Sequence, residues 1–104
     1  MAEEYTPRYE LDRASEVDRQ VRDLAARAVA LGMREQFFAA LKTVIRRLEQ
    51  DPADWGDPER LTRRPGGMVY HANSPPLLVR YIVYQPERVV CLLSVRAMPG
   101  SWLE

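Results

Sequence analysis

The chain has 104 residues, 46% hydrophobic and 29% charged, with 15 basic and 15 acidic side chains that cancel. That length suits one domain, 1–104, with residues 1–7 and 99–104 expected as loose termini, and the composition excludes wholesale disorder. A single cysteine, Cys91, excludes an internal disulfide framework, and no apolar run approaches the roughly 20 residues of a membrane span.

The start, Met1-Ala2-Glu3-Glu4, is acidic and no apolar run follows it. No signal peptide is expected, and the expected location is the cytoplasm, with no membrane partner. Tyr5, Tyr9 and Leu11 then fall at alternate positions. Period two predicts a short strand at Arg8–Leu11, and Pro7 suits a strand start or an edge.

Helical periodicity follows. Val17, Val21, Leu24, Ala28 and Leu31 form one helix face. Ser15 precedes Asp18 by three positions, the spacing of a capping box with a shorter acid. Gly32 is a natural helix end. A second stripe of Phe37, Phe38, Leu41, Val44, Ile45 and Leu48 runs up to Asp51-Pro52, where proline disfavours helix in the residue before it. Two amphipathic helices with a minimal connection predict an antiparallel hairpin.

Residues 51–67 are rich in Pro, Asp and Gly and read as a loop, with a short helical turn expected at Pro58–Leu61 and Trp55 pinning the loop to the body. Gly66-Gly67 permits backbone angles that other residues resist. Three strands are predicted after it: Met68–Asn73, Leu77–Tyr84 and Val89–Arg96. Ser74-Pro75-Pro76 makes a connection that cannot sit in mid-sheet. The last strand is apolar on both faces for most of its length, which places it centrally, with helices covering one side. The expected fold is α+β: a short N-terminal strand and a helical hairpin laid on a mainly antiparallel sheet of three to four strands.

The chain carries no Gly-rich phosphate loop, no nucleophile elbow and no metal-ligand spacing. One His and one Cys do not make a structural zinc site, so neither metal nor cofactor is expected. Cys91 sits in the run Val89-Val90-Cys91-Leu92-Leu93, where a buried small hydrophobe is its ordinary role. A DNA-reading helix-turn-helix is disfavoured, because both helix faces read as core and the first helix is rich in acids. The charge is uneven. Residues 60–104 carry six arginines (60, 63, 64, 80, 88, 96) against Glu87 and Glu104, a balance of +4 set against −4 in residues 1–59. The C-terminal half is therefore the part suited to an anion.

Within that half, Arg80 is expected to share a strand face with Ile82 and Tyr84, and Arg96 one with Ser94, Leu92 and Val90. An Arg inside a β run needs a solvent path or an acid partner. The plain reading is a salt-bridged or snorkelling side chain on an open sheet face. The functional reading is an anion clamp, with His71 on the adjoining strand as general acid–base beside Tyr70. Arg60, Arg63 and Arg64 crowd the loop before the sheet, either as a solvated surface or as contacts to a phosphate backbone.

The order of these elements, with Leu61…Gly66-Gly67-Met68-Val69-Tyr70, Leu78-Val79-Arg80-Tyr81-Ile82-Val83 and Arg88-Val89-Val90-Cys91-Leu92-Leu93-Ser94-Val95-Arg96, resembles the RelE/ParE toxin superfamily over residues 5–98. The resemblance implies a bacterial toxin held inactive by a cognate antitoxin. RelE-like members cut messenger RNA in the ribosomal A site, and ParE-like members poison DNA gyrase. On the RNase side it implies a metal-independent attack of a 2′-hydroxyl on its neighbouring phosphate. Arg80 would be the strand Arg that stabilises phosphate charge, and Arg96 the basic residue closing the last strand. His71 is a candidate acid–base from its position alone; Arg60, Arg63, Arg64 and Tyr70 are candidate RNA contacts. A gyrase inhibitor, or an interaction protein that binds only an antitoxin, stays open beside it, since Lys42 is the chain's only lysine.

Overall fold

The Val17 stripe folds as helix α1, Ser15–Ala30, and the Phe37 stripe as α2, Arg34–Gln50, in a computed structural model that describes residues 6–104. Gly32, at φ +71°, ends α1. Its N–H donates to the Val29 carbonyl at 3.1 Å and the Met33 N–H to the Ala28 carbonyl at 2.8 Å. These are the two bonds of a Schellman turn, which satisfies carbonyls the helix leaves open. The expected capping box is absent. Ala14 occupies the N-cap, Ser15 is already helical, and the Asp18 carboxylate instead accepts from Arg13 Nε at 2.7 Å.

Among the described residues five strands form one sheet in the order β1-β5-β4-β3-β2: β1 Glu10–Arg13, β2 Asp57–Leu61, β3 Gly67–Ser74, β4 Leu77–Tyr84 and β5 Val89–Ala97. β1 runs parallel to β5; the remaining pairs are antiparallel. The β1 strand begins two residues later than expected, because the Arg8 and Tyr9 amides donate to the Glu49 carbonyl at the end of α2. β5 lies inside the sheet, as its apolar run requires.

The loop 51–67 holds more structure than the sequence suggests. Its helical turn is α3, Pro52–Trp55, and not Pro58–Leu61; Pro52 suits a first helical position. Asp57–Leu61 is instead an extra edge strand, exposed along its whole length. An edge strand that buries neither face shows no period-two pattern, so the count of strands rises to five.

Both helices lie on one face of the sheet. Val17, Ala28, Phe37, Ala40, Val44 and Leu48 meet Ala72, Leu77, Val79, Tyr81, Val83, Val90, Leu92 and Val95 in one buried cluster. Trp55 does pin its loop, stacking on the Tyr81 ring at 5.9 Å. The buried Tyr81 hydroxyl donates to the Pro52 carbonyl at 2.7 Å, and burial raises its phenol pKa. The chain after Pro99 is not loose: Leu103 is fully buried and joins the same cluster. Residues 1–5 lie outside the described residues. No helix of the structure is long and apolar enough to cross a membrane.

Candidate functional site

The face of the sheet opposite the helices is open, and cross-strand register decides what stands on it. His71 pairs with Arg80 and Arg80 with Ser94, so one row crosses three strands on a single face. Asp57 on β2 extends that row as the register partner of His71. Asn73, Leu78 and Arg96 form the next row.

Two β-bulges shape this region. Arg80 pairs with Ser94 but Tyr81 with Leu92, which leaves Leu93 as an extra residue in β5. The alternation therefore changes phase at Leu93. Val90 and Leu92 face the helices, while Ser94 and Arg96 join Arg80 on the open side, correcting the expectation that all four share a face. The second bulge lies in β2, where Pro58 pairs with Tyr70 and Arg60 with the adjacent Val69, so Glu59 is the extra residue. Released from the ladder, Glu59 reaches across β3 and accepts from Arg80 Nε at 2.9 Å. Bulges beside a site commonly re-aim side chains in this way.

The result is a shallow concavity of about 290 Å³ lined by Glu59, His71, Leu78, Val79, Arg80, Ser94 and Arg96. The hydrogen bond from Arg80 holds the Glu59 carboxyl below the usual carboxylate range, and the positive charges of Arg80, His71 and Arg60 pull the same way against partial desolvation. His71 Nε2 lies 3.8 Å from Asp57 Oδ2, with its side chain 47% exposed. Arg96 is exposed and makes no ion pair among the described residues. Such a cluster combines a carboxylate, an imidazole and two guanidinium groups around one opening. It has the parts for proton transfer beside an anion.

The structure thus brings together His71, Arg80 and Arg96. Arg60 stands on the same face one row away, as the register partner of Val69. Arg64 also reaches this face, 5.0 Å over the ring of Tyr84. Arg63 is exposed in the loop between β2 and β3. Tyr70 is not part of the cluster. It points to the helix side, where its ring stacks on Tyr81 at 5.5 Å. Glu59, Asp57 and Ser94 are the members the sequence reading missed. Asp57 and Glu59 sit in the unrecognised edge strand, and Ser94 needs the bulge to share a face with Arg80.

No protein-family model matches the chain, and neither does any curated protein sequence. Solved structures do. The toxin–antitoxin complex RelBE2 from Mycobacterium tuberculosis holds a chain similar at TM-score 0.63 and 18% identity, covering 88% of this chain and 99% of that one. The chromosomal ParDE toxin–antitoxin system from P. aeruginosa gives 0.58 at 14% identity, covering 88% and 97%. The isolated E. coli RelE toxin gives 0.52 at 22% identity, covering 91% and 89%.

The chain has the RelE/ParE toxin fold.

At such identities the likeness establishes the fold alone. Within the RelE/ParE fold, the cluster lies on the sheet face that the helical hairpin leaves uncovered. The hairpin supplies the core, and β3, β4 and β5 carry His71, Arg80 and Arg96.

Proposed function

We propose that this chain is a toxin-like protein of a toxin–antitoxin system that cleaves messenger RNA at the His71–Arg80–Arg96 concavity. One observation carries the reading: the second bulge delivers a carboxylate, Glu59, beside that imidazole and those guanidinium groups. The chemistry is attack of an RNA 2′-hydroxyl on the adjacent phosphorus. Glu59, kept ionised by Arg80, accepts the 2′-hydroxyl proton. The O2′–P bond forms as the P–O5′ bond breaks. Protonated His71 gives its proton to the departing 5′-oxygen, leaving a 2′,3′-cyclic phosphate and a 5′-hydroxyl. Arg80 and Arg96 stabilise the charge that gathers on the phosphate oxygens. No step needs a metal or a cofactor. The substrate is mRNA on the ribosome, and the restraining partner is a cognate antitoxin, as the complexes among its structural neighbours suggest.

The test is a translation reaction with purified protein, followed by mapping of mRNA ends. His71→Ala, Arg80→Ala and Glu59→Gln should each slow cleavage by roughly 10²-fold or more, the range for lost acid–base or electrostatic catalysis. Intact mRNA, or variants that cut like the parent, would sink the reading.

A second reading is favoured by the same Glu59. Its carboxylate already occupies Arg80 Nε, as it would in a merely structural ion pair. The chain is then a non-catalytic interaction protein whose partner is DNA gyrase or an antitoxin alone. It predicts inhibition of gyrase supercoiling, or antitoxin binding, that His71→Ala leaves unchanged.

A further inference from the structure

The open face continues past the cluster to a second constructed feature. Arg80, Ile82 and Tyr84 point the same way along β4, so Tyr84 stands roughly 13 Å from Arg80, four residues at about 3.3 Å each. Over its ring lies Arg64, with the guanidinium carbon 5.0 Å from the centroid.

The loop between β2 and β3 holds Arg64 there. The Thr62 amide donates to the Gly67 carbonyl at 3.0 Å, and the Thr62 hydroxyl donates to the Arg64 carbonyl at 2.5 Å. Gly67 is the register partner of Tyr84 and is buried. A side chain there would collide with Thr62 and with the Tyr84 ring, so only glycine lets the loop lie against the ring. Gly66, at φ +89°, turns the chain into β3. Arg64 forms no ion pair among the described residues, although it is exposed.

We propose that the Arg64–Tyr84 pair is a stacking platform for one base of single-stranded RNA, on the same strand of RNA whose phosphate sits at Arg80. The inference rests on the RNA-cleaving reading above and adds a substrate-binding subsite to it. The Arg64 guanidinium is planar and cationic, and it stays exposed beside the ring that attracts it. Bases stack on such planes, and single-stranded RNA is recognised by stacking combined with charge. Ile82, between Arg80 and Tyr84, offers an apolar floor for the sugar in between. The separation suits a base a nucleotide or two from the scissile bond. Lysine in place of Arg64 would keep the charge and lose the plane.

The experiment measures affinity for a short oligoribonucleotide carrying one 2′-deoxy substitution at the cut site, together with versions in which each base in turn is removed. Arg64→Ala, Arg64→Lys and Tyr84→Leu should each weaken binding about five-fold or more, the lower end of what stacking one base contributes. One abasic position should cost the parent a similar factor and cost Arg64→Ala nothing. If Arg64→Lys binds like the parent, or abasic losses are equal in parent and Arg64→Ala, the platform is overturned while RNA cleavage stands. A parent protein that cuts mRNA in the translation reaction but binds no oligoribonucleotide overturns the platform alone. One that binds no oligoribonucleotide and cuts no mRNA in the translation reaction overturns both readings.

Discussion

Arg80 and Glu59 form the closest charged contact of the open face, with side chains 43% and 29% exposed. At that exposure the pair contributes on the order of 0–1 kcal/mol to stability. Its larger effect is on protonation. Because the folded Glu59 carboxyl is depressed below its ordinary 4.5, its share of stability is present above that pH and fades as pH falls through the lower folded value. Arg80→Gln should therefore raise the Glu59 titration midpoint in a carboxyl-resolved NMR titration, and remove this acid-range dependence of stability. An unchanged midpoint would show that Arg80 does not hold the proton off Glu59. Cys91 follows the opposite rule. It is only half-buried and stands opposite Ile82 on the open face, not in the core as its apolar run suggested. Partial burial still pushes its thiol up, and the Asp12 charge adds to this.

At the scale of elements, the site depends on irregularities in two strands. Arg96 stands beside Arg80 only because Leu93 is an extra residue in β5. Deleting Leu93 should thus restore a regular ladder with Leu92 still inward and Ser94 and Arg96 still outward. Deleting Cys91 should shift the register and turn Leu92 away from the core. Urea unfolding is expected to stay cooperative for the first variant and to collapse for the second. Loss of folding in both would mean that the bulge itself is structurally required. Helices α1 and α2 were readable because each buries one stripe at helical spacing. Strand β2 was not, since Asp57–Leu61 is exposed on both faces and owes its existence to hydrogen bonds with β3. Glu59 was hidden with it.

For the whole molecule, the core closes through its far end. Leu103 has no exposed surface and contacts a cluster built by both helices and the inner strands. Leu103→Ala should cost about 2–5 kcal/mol, the range for a leucine truncated in a core, measured by urea or thermal unfolding. A loss under about 0.5 kcal/mol would mean that the tail merely rests on the body. The asymmetry of charge also acts at this scale. The hairpin spends its apolar stripes on the core, and Arg60, Arg64, Arg80 and Arg96 collect on the uncovered sheet face, with Arg63 in the loop that precedes it. Arg88 lies apart in the β4–β5 turn, beside Gln50, Asp51 and Asp54.

The sequence by itself determined the α+β class, the helical hairpin with its Gly32 stop, the three long C-terminal strands and the face on which Arg80 stands. Each of these is a local matter of apolar period, or of the angles that Gly and Pro permit. Tertiary structure decided the fifth strand, the phase change at Leu93 and the reach of Glu59 across β3. It also turned Tyr70 inward onto Tyr81 and laid Arg64 on Tyr84. These depend on which residue of one strand lies opposite which residue of another, and a single extra residue reverses the answer. Cross-strand register is fixed by packing over the whole sheet, so the candidate site came into view only once the strands were paired.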